Sequence, residues 1–137
     1  MALDYAKKYH GAQTDLNGKP YMGHLMRVAQ RVAKSGPNAI MVALLHDILE
    51  DTKVGTDELI EIFPPEVIRA VWALTRIQTE HYKEYIKHVA EVPLALEVKI
   101  ADLKDNLDPV RQRTGQVNED RTRRYEKALT YLEGKNE

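Results

Sequence analysis

The chain contains no cysteine, one tryptophan and one phenylalanine among its 137 residues. The missing thiols exclude a disulfide framework, thiolate catalysis and every cysteine-based zinc site, so a metal held by this protein needs imidazole and carboxylate ligands. Charge of one sign is also lacking. The 20 basic and 21 acidic residues leave a net charge of −1, which draws the protein neither to nucleic acid nor to an anionic membrane. An anionic ligand must therefore be held locally. No segment approaches the ~20 apolar residues of a membrane span, and the opening MALDYAKKYHGAQ lacks the apolar core of a secretory signal. The expectation is a cytoplasmic protein.

At 43% hydrophobic content the chain can build a real core, and residues 1–137 read as one domain. Six or more segments repeat their apolar residues at helical spacing and none alternates as a strand would, which predicts an all-α bundle. The first helix spans 2–12. The second runs through YMGHLMRVAQRVAKSG, with Leu25, Val28, Ala29 and Val32 on one stripe, until Gly36 and Pro37 stop it. A third spans Asn38 to Asp51. GTDELIEIF forms a short helix, Pro65 suits the first turn of EVIRAVWALTR, and EHYKEYIKHVAE, LALEVKIADLKDN and EDRTRRYEKALTYLEG supply the rest. Residues between Asn106 and Asn118 read as a loop.

VALLHDILEDT, residues 42 to 52, carries an apolar run into His46, Asp47, Glu50 and Asp51. At ~100° per residue, Asp47, Glu50 and Asp51 fall roughly 100°, 40° and 140° from His46, all on one face. One turn earlier Ile40 and Ala43 occupy the same arc, so the helix is apolar all round before it becomes acidic, and its charges sit at the inner end of a buried rod. Asp102 points along an apolar stripe with Ala95 and Val98. An ionised carboxylate there costs several kcal/mol unless a partner, a proton or a cation neutralises it. His24 lies at the edge of the Leu25, Val28 and Val32 stripe and reaches inward. His24, His46, Asp47 and Asp102, from three helices, thus offer four hard or borderline ligands to one divalent ion; Mn²⁺, Fe²⁺, Mg²⁺ and Zn²⁺ all suit such a set.

His24, the doublet His46-Asp47 and Asp102 resemble the H…HD…D signature of the HD superfamily of metal-dependent phosphohydrolases. GKPYMGHLMRVA, ALLHDILEDT, FPPEVIRAVWALTR and VKIADLKDNL further resemble, in order and spacing, the hydrolase domain of RelA/SpoT-type enzymes and short single-domain alarmone hydrolases. The resemblance implies that His24, His46, Asp47 and Asp102 hold Mn²⁺, and that Glu50 and Asp51 orient and deprotonate the attacking water. It also implies that Asn106 and Tyr125 contact the nucleotide, and His10 matches a histidine that precedes the family's G.PY turn. The implied reaction releases pyrophosphate from the 3′ position of guanosine 3′,5′-bis(diphosphate). The sequence departs from the family at Asp15, where a basic residue usually helps hold the nucleotide. Lys19, Lys53, Lys104, Arg111, Arg113 and the cluster of Arg121, Arg123 and Arg124 are candidate replacements. Two other functions stay open: an HD-type nucleotide phosphatase or pyrophosphatase of different specificity, and a non-catalytic module that binds a nucleotide through the metal.

Overall fold

Three of the helices whose bounds are described open on proline, which suits the first helical position because its missing N–H has no partner there anyway. They are α3 (Pro37–Leu45), α6 (Pro65–Leu74) and α8 (Pro93–Asn106). The computed structural model describes residues 2–14, 20–52, 54–77, 79–109 and 118–136. The remaining elements are α1 (Ala2–His10), α2 (Tyr21–Arg31), α4 (Ile48–Asp51), α5 (Thr56–Ile62), α7 (Tyr82–Ala90) and α9 (Glu119–Lys135), with a 3₁₀ turn at Ala33–Ser35. The structure is all-helical; among the described residues the one β pairing is an isolated bridge between Thr14 and Pro20.

Two helices form the centre. The apolar α3 packs against α1, α2, α6 and α8, and α8 packs in turn against α2, α6, α7 and α9. Ala39, Val42, Ala43, Leu44 and Leu45 of α3 are all buried, as are Ala95, Leu96, Val98, Ala101 and Leu103 of α8. Burial of this kind, at roughly 25 cal/mol per Å² of apolar surface, is what holds short helices that would not form alone.

Several boundaries differ from those the sequence predicts, each for a local reason. The first helix stops at His10 rather than residue 12: Gly11 follows, and a Cβ there would lie 2.3 Å from the carbonyl oxygen of Lys7. The second tightens into the 3₁₀ turn after Arg31 and ends at Gly36, whose φ of 101° suits glycine. The main correction concerns residues 38–51. The helix breaks at His46 and Asp47, with Asp47 at φ −105° and ψ 1°, outside helical geometry. The last helix is capped by Asn118, whose side-chain oxygen accepts from the Arg121 amide at 3.0 Å, with Glu119 and Asp120 in its first turn.

Truncating a central side chain should therefore cost far more than truncating a peripheral one. Leu45, fully buried, is expected to lose about 2–5 kcal/mol on Leu45→Ala. Ile60, 56% exposed, should lose less than about 1 kcal/mol on Ile60→Ala. Urea unfolding midpoints of the two variants check the contrast.

Candidate metal and catalytic site

Among the described residues, five polar side chains are buried in the core: His10, His24, His46, Asp102 and Asp105. Four of them meet between α2, α8 and the break after α3. His24 Nε2 lies 2.8 Å and His46 Nε2 3.2 Å from the same oxygen, Asp102 Oδ1. Asp47 Oδ2 is 3.3 Å from His46 Nε2, and the Tyr21 hydroxyl donates to that same Asp47 oxygen. The helix break makes this possible. In a continuous helix Asp47 would project about 100° away from His46, whereas the turn lets both side chains reach one point.

The outer nitrogens of the two imidazoles are already committed. His24 Nδ1 is 2.6 Å from Asp105 Oδ2, and His46 Nδ1 is 2.6 Å from the carbonyl oxygen of Ala43. Both partners are acceptors, so each Nδ1 carries the hydrogen and each Nε2 presents a lone pair. These lone pairs converge with the carboxylate oxygens of Asp102 and Asp47 and have no hydrogen between them. Acceptors gathered this closely make a site suited to a cation. His24, His46 and Asp47 each offer an atom within 4.8 Å of the others, and Asp102 Oδ1 completes the group. A His/Asp cluster of this composition fits a divalent ion.

Two residues that the sequence reading overlooked shape the field. Lys99 Nζ is 2.9 Å from Asp102 Oδ2, on the opposite carboxylate oxygen from the imidazoles. Burial opposes the charge on Asp102, yet the Lys99 ammonium beside it holds its carboxyl well below the usual range. The same carboxylate raises Lys99 well above an ordinary lysine despite burial. Asp105 is the second. Arg27 Nε donates to its Oδ1 at 2.8 Å, while Oδ2 takes His24 Nδ1. Burial works against its ionisation too, but the hydrogen bonds from His24 and Arg27 lower it to about 2. The available sequence signal was spacing: His24 and Arg27 on one helix and Asp102 and Asp105 on another are each three apart, which stacks two facing pairs.

The other candidates are distributed around this centre. Glu50 is exposed and accepts a hydrogen bond from the Arg76 amide. The side chain of Asp51 lies outside the described residues, as do Asp15, Lys19, Lys53, Arg111 and Arg113. Asn106 Nδ2 is 3.5 Å from Asp102 Oδ1. His10 is fully buried one ring further out, with Nδ1 3.0 Å from Gln13 Oε1 and its ring 5.2 Å from that of Tyr21. Tyr125 is half-buried, 6.1 Å from Tyr82. Lys104 forms a surface pair with Glu133 at 3.5 Å.

The HD domain family model matches residues 2–105. The chain belongs to the HD domain family. The matched span contains the whole His24, His46, Asp47, Asp102 and Asp105 cluster. Over 116 residues this HD domain is 36% identical to a guanosine-3′,5′-bis(diphosphate) 3′-pyrophosphohydrolase of Aquifex aeolicus, covering 77% of this chain and 17% of the relative. It is 31% identical over 119 residues to a GTP pyrophosphokinase rsh of Brucella ovis, covering 77% of this chain and 16% of the relative. The chain thus spans about one-sixth of the length of the curated relatives it matches. A solved structure of a metazoan ortholog of SpoT, described as hydrolysing ppGpp and acting in starvation responses, superposes with a TM-score of 0.78 at 25% identity. The match covers 96% of this chain and 82% of that one.

Because Asp105 fixes the tautomer of His24, Asp105→Asn should weaken divalent-ion affinity about 10- to 100-fold. Calorimetric titration with Mn²⁺ measures this, and Glu66→Gln on the far surface should leave it within about twofold.

Proposed function

We propose that this HD domain is a Mn²⁺-dependent phosphohydrolase that removes the 3′ pyrophosphate of guanosine 3′,5′-bis(diphosphate), leaving GDP. The observation that carries the reading is the convergence of two imidazole lone pairs and two carboxylates on one point. The Aquifex relative's name supports the choice of substrate, as does the SpoT ortholog superposed on nearly the whole chain. His24, His46, Asp47 and Asp102 would hold the ion. A divalent ion bound there lowers the pKa of water toward neutrality and offsets phosphate charge.

The chain's own residues divide the remaining work. Glu50 lies four residues after His46, beyond the break in the helix, and its carboxylate accepts a hydrogen bond from the Arg76 amide. From there it takes the proton of the attacking water, a task that the next residue in sequence, Asp51, shares in our reading. Tyr21 orients Asp47, and Asp105 with Arg27 orients His24. Lys99 neutralises the far oxygen of Asp102, which keeps that carboxylate ionised and fixed in place. Asn106 and Tyr125 line the nucleotide side. No described helix is long and apolar enough to cross a membrane, and a cytoplasmic nucleotide is the substrate we assign.

Asp15, a carboxylate at a position where the family resemblance leads one to expect a basic residue, favours a second reading in which the same machinery acts on another phosphorylated nucleotide. One experiment separates them. Protein supplied with Mn²⁺ is incubated with a panel of nucleotides, and orthophosphate and pyrophosphate are quantified. Pyrophosphate from guanosine tetraphosphate supports the first reading; orthophosphate from other nucleotides, with none from this one, replaces it with the second. Glu50→Gln should lower kcat by about 100-fold or more while Mn²⁺ still binds, since general-base catalysis contributes about 10²–10⁴. Binding of nucleotide without turnover by the unaltered protein would reduce it to a binding module.

A further inference from the structure

A groove of about 580 Å³ runs between α7 and α9 and contains none of the residues assigned to the metal or to catalysis. Its floor is apolar and aromatic: Tyr82, Ile86, Ala128 and Tyr131. Its rim is cationic. Lys83, Lys87, Arg123, Arg124 and Lys127 stand against a single lining acid, Asp120, a local charge of +4 (five cations less one acid) on a chain whose net charge is −1. Arg123 pairs with Asp120 at 2.5 Å and Lys87 with Glu84 at 3.6 Å. Lys83 and Lys127 have no acidic partner among the described residues.

We propose that this groove is a second ligand site, for a nucleoside polyphosphate, with the base on the aromatic floor and the phosphates on the lysine rim. Its size suits a small molecule, whose sites run to about 300–1,000 Å³, and not the long surface an acidic polypeptide covers. An apolar floor edged by cations matches a ligand with one flat hydrophobic end and one polyanionic end. Purine rings stack on tyrosine and guanidinium faces. Here Arg124 already lies 4.9 Å over the ring of Tyr82, and Tyr131 is 37% exposed.

Tyr82 also sits under a second guanidinium, Arg76 at 5.4 Å, whose amide holds Glu50. A ligand that shifts Arg124 off Tyr82 would therefore touch the element that positions Glu50.

The test uses GDP as probe, titrated by calorimetry in EDTA so that no metal-held phosphate contributes. GDP should bind the unaltered protein, more weakly as salt rises. Lys83→Glu combined with Lys127→Glu should weaken it at least about tenfold, two surface charges each being worth up to about fivefold. Both positions are exposed, so unchanged circular dichroism and Tm establish that the double variant is folded. Tyr131→Ala should weaken GDP but leave inorganic pyrophosphate, which lacks a base, nearly unaffected. No binding of GDP, or equal binding by the charge-reversed variant, overturns the proposal. The outcome is independent of the catalytic reading, which stands or falls on pyrophosphate release from guanosine tetraphosphate.

Discussion

Asp102 imposes the constraint on which this architecture depends. A carboxylate 5% exposed in the middle of a helical bundle, with two imidazole lone pairs aimed at one of its oxygens, is an electrostatic debt that the fold must settle locally. Lys99 offsets part of it from the other oxygen. The residue is held on the face of α8 that packs into the core, so it cannot turn outward to water as a surface aspartate would. Everything nearby is consistent with a cation placed opposite Lys99: each imidazole has its outer nitrogen tied to an acceptor, and Asp47 is swung in by a break in its own helix.

That break links local conformation to chemistry. The α3 segment is too apolar to lie anywhere but the centre, and an uninterrupted continuation would carry Asp47 away from His46. Leaving helical geometry at Asp47 redirects one side chain without disturbing the packing of the five buried residues before it. The outer support is equally economical. Arg27 and Asp105 sit one step beyond His24 and Asp102 on the same two helices, so the helix packing that brings the inner pair together also aligns the outer pair. The orientation of His24 is then a consequence of how α2 crosses α8.

The basic groove between α7 and α9 gives another use to residues that the sequence offered as replacements for the missing cation at Asp15. Arg123 and Arg124 line this groove, with Arg124 over Tyr82, while Lys104 is paired with Glu133 on the surface. Clustering in the chain did not indicate which side of α9 each cation would occupy. Residues one apart on a helix diverge by about 100°, so neighbours in sequence serve different surfaces.

The sequence by itself determined the helical class, Pro65 at the start of α6, the buried character of α3, and the four candidate side chains of the cluster. Periodicity and the energetic penalty on a charge placed in an apolar stripe are local properties, legible residue by residue. The HD doublet was legible for the same reason. Only the tertiary structure decided that the helix breaks between His46 and Ile48, that Lys99 balances Asp102, and that Asp105 with Arg27 stands behind His24. Those depend on which side chains face each other across helices some 80 positions apart, as His24 and Asp105 do at 2.6 Å. A helical repeat says which face is inward. It does not say what lies opposite, because that follows from the crossing of two helices and not from the order of residues along either one.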